Sequence, residues 1–196
     1  MVDMWKVLLI GGSSATGKSY LARQLSEYYK VPLTEVDDIR IALQQLVNKT
    51  EHPDLYFFLD NRNFLQDYST EVLVENLLAV GQEVWPALDT LITKHLVCNE
   101  PVIFEGDSIL PNLLAQRELS QIRAIFLYDS TENLKEREIR RNRAGQSDSE
   151  TLDQQINFSS AYGEKLKAQA EQYGFIAIKA SPLETLFERA KEALEK

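Results

Sequence analysis

Short apolar runs separated by longer stretches of helical periodicity set the pattern of this chain. Trp5 to Ile10 is apolar except for Lys6 and ends at Gly11-Gly12, and similar bursts recur at Val31 to Val36, Pro101 to Glu105, Ile122 to Tyr128 and Phe175 to Lys179. Runs this short, with little alternation, predict strands covered on both faces. The segment after Gly12 places Leu21, Leu25 and Tyr28 on one helical face. Strands alternating with helices predict an α/β architecture with a parallel sheet and right-handed crossovers. The stretch from about Ile41 to Asn99 is too long for a simple crossover. Its apolar positions (Val72, Leu73, Leu77, Leu78, Leu88, Leu91, Ile92, Leu96) predict an inserted helical layer, which Pro53 and Pro86 start, end or kink and Gly81 weakens. No repeat or Gly/Ser-rich linker divides residues 1–196, so one domain is expected.

The length, 196 residues, allows a core without disulfides, and the sole cysteine, Cys98, has no internal partner. Lys and Arg number 21 against 30 Asp and Glu, a net charge of −9. That balance repels a phosphate backbone and argues against nucleic-acid binding. No apolar run approaches a membrane span, and the first residues lack the pattern of a secretion signal, so no membrane role and a cytoplasmic address are expected.

Candidate chemistry begins where the first apolar run ends. Gly12-Ser13-Ser14-Ala15-Thr16-Gly17-Lys18-Ser19 satisfies GxxxxGK[ST] in full, between a predicted strand and a predicted helix. In that context the glycines let successive backbone N–H groups curl toward an anion at a helix N-terminus. Lys18 then reaches the β and γ phosphates of a nucleoside triphosphate and the Ser19 hydroxyl ligates Mg2+. These residues make a nucleoside triphosphate the expected co-substrate.

Two acids are predicted to share that sheet edge. Asp37, just past the second apolar run, is placed to orient or deprotonate a substrate hydroxyl, with Arg40 one helical turn on to hold an anionic substrate. Asp38 reads as the cap of a helix starting near Ile39. Glu105 ends the third run and is placed to reach Mg2+ through a bound water, with Asp107 as the alternative. Arg137 and Arg141, spaced i, i+4, form the expected phosphate-closing lid over about residues 137–149. The competing picture there is an exposed helix of Glu–Arg pairs such as Glu136 with Arg140, and Arg140 and Arg143 carry no assigned role. In the insert, Arg62 is a further candidate for an anionic acceptor. His52, His95 and Cys98 lack zinc-ligand spacing, His52 reads mainly as surface, and Tyr56, Phe57, Phe58 and Trp85 read as core.

The Gly11 to Ser19 loop, the Asp37-Asp38-Ile39-Arg40 block, Glu105-Gly106 with Pro111 downstream, and the Arg137 to Arg143 segment together resemble the P-loop small-molecule kinases. Within that class they are most similar to 2-phosphoglycerate kinase-like proteins, with likeness also to chloramphenicol phosphotransferase. The resemblance implies a P-loop NTPase three-layer sandwich with strand order 2-3-1-4-5, a helical insert and an arginine lid. It also implies an adenine pocket lined by Ser181 and Pro182 after the fifth strand, and an aspartate, here Asp37, acting on the acceptor hydroxyl. The expected activity is ATP- and Mg2+-dependent transfer of a phosphoryl group to a hydroxyl of a small metabolite. A nucleotide hydrolase or switch with a protein partner, and a toxin-type or antibiotic-modifying kinase, share these residues and differ in the acceptor.

Overall fold

The computed structural model describes residues 5–141 and 149–195. Arg143 and the part of the expected lid over 142–148 lie outside the described residues. Among the described residues, Val7–Gly12 (β1), Leu33–Glu35 (β2), Val102–Gly106 (β3), Ile122–Tyr128 (β4) and Ile176–Lys179 (β5) form one sheet. Its order is β2-β3-β1-β4-β5 with every pairing parallel. Each expected apolar run supplies one strand.

Alternation along the strands builds two cores. Val7 and Leu9, Val102 and Phe104, and Ile122, Ala124 and Phe126 face one side. There they meet two long helices, Thr70–Cys98 (α5) and Ser149–Gln172 (α8). Leu8 and Ile10, Ile103, Ile125 and Leu127 face the other, against Lys18–Tyr29 (α1) and Leu186–Leu194 (α9). Both faces are apolar because both are covered, which is why the strands lack a solvent-facing polar register.

Two helix boundaries depart from expectation. The second helix, Val36–Leu46 (α2), starts at Val36 with Glu35 as its N-cap, three residues ahead of the expected start. Asp38 is therefore not the cap; it sits exposed in the first turn beside Asp37, where the helix dipole favours both charges. The other departure is α5, which runs unbroken through Gly81 and Pro86. Its buried face (Val80, Val84, Leu88, Ile92) outweighs a proline penalty of about 3 kcal/mol. Gly81 belongs there sterically, because a Cβ would come within 2.9 Å of the Leu110 side chain.

Between α2 and α5 the insert is made of short pieces: a 3-10 turn at Asp54–Tyr56, then Phe57–Asp60 (α3) and Phe64–Asp67 (α4). Trp85, Tyr56 and Phe58 are half-buried against the main core, and Phe58 stacks on Phe158 of α8 with ring centroids 6.1 Å apart. Two further helices, Pro111–Leu114 (α6) and Thr131–Arg140 (α7), follow β3 and β4. No helix among the described residues is long and apolar enough to cross a membrane.

Candidate active site

All five strands end on one edge, and most of the candidate residues lie on the segments that leave it, Arg62 excepted. The turn out of β1 begins at Gly12, whose φ of 142° is open to glycine and strained for other residues. A Cβ at Gly12 would lie 2.4 Å from the Leu127 carbonyl oxygen, so the bend can approach β4 only without a side chain. Gly17, in the left-handed region at φ 91°, turns the chain into α1. Within the loop the Thr16 hydroxyl donates to the Ser13 carbonyl at 2.7 Å, and Lys18 Nζ reaches back to the same oxygen at 3.0 Å. The lysine thus spans the bend, the position from which an ammonium meets phosphate held by the loop N–H groups. Ser14 and Ser19 remain partly open, while Ser13, Ala15 and Thr16 are buried.

Asp37 stands within electrostatic reach of Lys18. Its side chain keeps 47% exposure, yet Oδ1 is enclosed and accepts no hydrogen bond. The Arg40 guanidinium lies 3.4 Å from that oxygen, an ion pair without hydrogen-bond geometry. Burial first, and then the Asp107 and Glu105 charges, push the Asp37 carboxyl up to about 6 against the pull of Arg40 and Lys18. A carboxyl so poised is ionised at neutral pH and still basic enough to take a proton.

Glu105, 4% exposed, lies one residue before the end of β3, in register with Ile10 of β1 and Glu35 of β2. Asp107 follows in the next loop, where its carboxylate accepts from the Ser108 hydroxyl at 3.2 Å. Ser19 with either acid offers hard oxygen donors of the kind magnesium takes at nucleotide sites, where phosphate and water complete the shell. The donor set fits that ion.

The two expected lid arginines are placed differently. Arg141 is exposed and lines a cleft of about 630 Å³ with Ser19, Tyr20, Arg23 and Glu35. Arg137, 11% exposed, donates to the Ala15 carbonyl at 3.0 Å, to Ser181 Oγ and to Asp129 Oδ2. The Ser181 hydroxyl in turn donates to Asp129 at 2.7 Å. Burial would raise Asp129, but hydrogen bonds from Ser181, Asn133, Arg137 and the Ser130 N–H outweigh it and hold the carboxyl below its usual range. Arg137 is therefore a bracket joining the phosphate loop, the β4 end and the loop after β5. Leu183, one residue past Pro182, would lie 3.1 Å from a Cβ at Gly17, so that last loop sits beside the phosphate bend.

Arg140 pairs with Glu136 at 2.6 Å on the outer face, as the exposed-helix picture expects. Arg62 is exposed between α3 and α4, and His52 pairs with Glu83 at 2.6 Å. Neither joins the cluster around Asp37.

Three residues that the sequence pattern did not single out support the site. Asp129 follows the fourth apolar run directly, the same position after a strand that marked Asp37. Tyr162, fully buried in α8, donates its hydroxyl to the Asp107 carbonyl at 2.6 Å. Burial, then the Asp107 charge, raises that phenol well above its ordinary value, so it stays a donor. Gly163 lets α8 touch the phosphate loop, since a Cβ there would meet Ser13 Oγ at 2.9 Å. A glycine inside a helical pattern was the available signal.

No family model matches the chain. It is 28% identical over 131 residues to 2-phosphoglycerate kinase of Methanococcus maripaludis strain C7, covering 62% of this chain and 41% of that protein. The chain thus spans about two-fifths of the length of the curated relatives it matches. Among solved structures it is similar to a gluconokinase from Sinorhizobium meliloti 1021 (TM-score 0.55, 17% identity, 98% of this chain and 93% of that one). It is also similar to a deoxyadenosine kinase from M. mycoides with bound dATP (TM-score 0.55, 16% identity, 97% and 100%). The chain therefore resembles 2-phosphoglycerate kinase in sequence and carries the α/β fold of P-loop kinases.

Proposed function

We propose that the chain transfers the γ-phosphoryl group of ATP to a hydroxyl of a small, anionic metabolite. The observation that carries this reading is the pairing of Lys18, drawn across the phosphate bend, with a half-enclosed Asp37 on the same sheet edge. A binding or switch module needs the first element and has no use for a carboxyl poised near 6 beside it.

In the proposed reaction the loop N–H groups and Lys18 hold the triphosphate, and Asp37 orients the acceptor hydroxyl for in-line attack. The acceptor oxygen bonds to the γ phosphorus as the bond to the β–γ bridging oxygen breaks. The hydroxyl proton passes to Asp37 and ADP leaves. Magnesium, when bound through Ser19 and Glu105 or Asp107, would neutralise charge on the phosphates. Arg141, at the open cleft beside Ser19, is the arginine free to approach the transferring group. Arg137 fixes the loop from behind, and Ser181 and Pro182 face the nucleotide from the loop after β5.

The test is incubation with ATP, magnesium and pooled metabolites, with phosphate gain read by mass spectrometry. Transfer to an organic hydroxyl that disappears in Asp37→Asn, with nucleotide affinity retained, supports the reading. ATP consumption unaffected by any acceptor identifies a hydrolase and overturns it.

A further inference from the structure

A cavity of about 270 Å³ opens beside Arg40. Ile41, Leu55, Phe58, Leu59 and Val80 supply most of its wall, and Gln44 is the remaining polar neighbour. The Gln44 amide is already used, since Nε2 donates to the Leu55 carbonyl at 2.7 Å. That leaves Arg40. Among the described residues its guanidinium makes no hydrogen bond, and its one polar contact is the 3.4 Å pair with Asp37. Five N–H donors on a side chain only 24% exposed are an unusual surplus where buried polar groups are normally paired.

The surroundings of this cavity are as telling as its wall. Ile41 and Leu59 each remain 54% exposed at its rim, although the same insert buries Leu55 to 3%. The enclosed volume has room for roughly nine water-sized groups. An acceptor made only of hydroxyls and charges would leave these walls without apolar contacts and would desolvate its own polar groups against them.

We infer that the acceptor is a hydroxy-bearing anion with an apolar body. Its hydroxyl meets Asp37, its anionic group takes the vacant donors of Arg40, and its hydrocarbon part fills the space between α2, the insert and Val80. This rests on the kinase reading above and deepens it. The i, i+3 spacing of Asp37 and Arg40 places hydroxyl and anion within one helical turn of each other, so a compact hydroxy acid spans both. A planar guanidinium fork suits a carboxylate or a phosphate monoester equally. The wall, not the charge, then separates this acceptor from small polyhydroxylated acids.

The experiment is steady-state transfer from ATP to glycerate, 3-hydroxybutanoate, 3-hydroxyhexanoate and 3-hydroxyoctanoate. Hydroxyalkyl phosphates of matching chain length and uncharged 1,3-diols run in parallel, with nucleotide binding followed separately by calorimetry. kcat/KM should rise about fourfold per added methylene until the cavity is full, the value expected for burying each one. The diols should be poorer by tenfold or more, and the carboxylate and phosphate arms decide which anion is preferred. Arg40→Gln should abolish the preference for the anion over the diol while leaving nucleotide affinity unchanged. Ile41→Ser with Leu59→Ser, both at exposed positions, should flatten the chain-length slope. Glycerate served as well as or better than the longer acids overturns the inference and leaves the kinase reading standing. Nucleotide binding without transfer to any acceptor overturns the kinase reading, and this inference with it.

Discussion

The two halves of the sheet edge are finished to different degrees. On the proposed nucleotide side Thr16 and Lys18 are tied to the Ser13 carbonyl and Arg137 to Ala15, Asp129 and Ser181, while the enclosed Ser13 hydroxyl has no partner and Arg141 stays exposed. On the proposed acceptor side Asp37 Oδ1 has no hydrogen bond, Arg40 has spare donors, and Ile41 and Leu59 stand half-open. A preorganised cradle suits a ligand whose shape is constant, because little has to be ordered when it binds. Open apolar walls beside a guanidinium with spare donors distinguish the half where, on the proposed reading, a second ligand completes the structure.

The largest effect that would break this contrast is at Gly12. Alanine there combines a strained φ with a methyl 2.4 Å from a backbone oxygen of the central sheet. The expected loss is about 3 kcal/mol or more, read as a lowered urea midpoint, and nucleotide binding should go with it. A variant as stable as wild type would mean that the cradle is not tightly fitted. Next in size is Asp37→Asn, which should lower phosphoryl transfer about 100-fold or more while ATP affinity, measured by calorimetry, is unchanged. If nucleotide affinity falls in step with rate, Asp37 belongs to the nucleotide half after all.

A smaller and sharper effect lies at the contact between α8 and the phosphate loop. Gly163→Ala adds a methyl 2.9 Å from Ser13 Oγ, so the serine or its loop must shift. The helix itself gains from alanine, which is favoured over glycine by about 1 kcal/mol. Stability should hold or rise while the KM for ATP increases about tenfold. Removing the struck atom with Ser13→Ala in the same chain should restore KM, because the next contact, to Ser13 Cβ at 3.6 Å, is an ordinary one. Failure of that rescue would separate α8 from nucleotide positioning.

What could be seen in advance follows the range of the interactions involved. The five strands and the Gly12 to Ser19 bend are encoded by neighbours in sequence, and the structure places both where the pattern put them. The start of α2 was misplaced because Asp37 and Asp38 have the side chains of a cap. The helix begins instead at Val36, which packs so closely on Gly106 that a Cβ there would come 2.8 Å from the valine Cβ. The spacing of Arg137 and Arg141 is local and visible. The commitment of Arg137 to Ser181, 44 residues away, is not. The short insert helices depend on ring contacts such as Phe58 with Phe158, so the insert between α2 and α5, built partly from long-range contacts, was the least legible part.

The smallest effect tests both halves through one group. Asp37 titrates near 6 in the folded chain against an ordinary value of 3.8, so the folded state binds its proton more tightly than the unfolded state does. Its favourable contribution is complete below about 3.8 and is lost as pH rises through about 6, leaving the ionised carboxylate as a net burden at pH 7. The difference between those two values is worth about 3 kcal/mol for a fully enclosed group. With 47% of this side chain open, solvent screening reduces it to about 1 kcal/mol. Asp37→Asn should therefore be more stable than wild type by that amount at pH 7 and no more stable at pH 4, by urea denaturation at both. Activity must run the other way, because only the ionised form accepts a proton. In wild type kcat/KM should climb about tenfold per unit below pH 6 and level off above it. Opposite slopes from a single carboxyl are what a site kept strained for its acceptor produces. A stability difference that ignores pH would instead make Asp37 an ordinary surface acid.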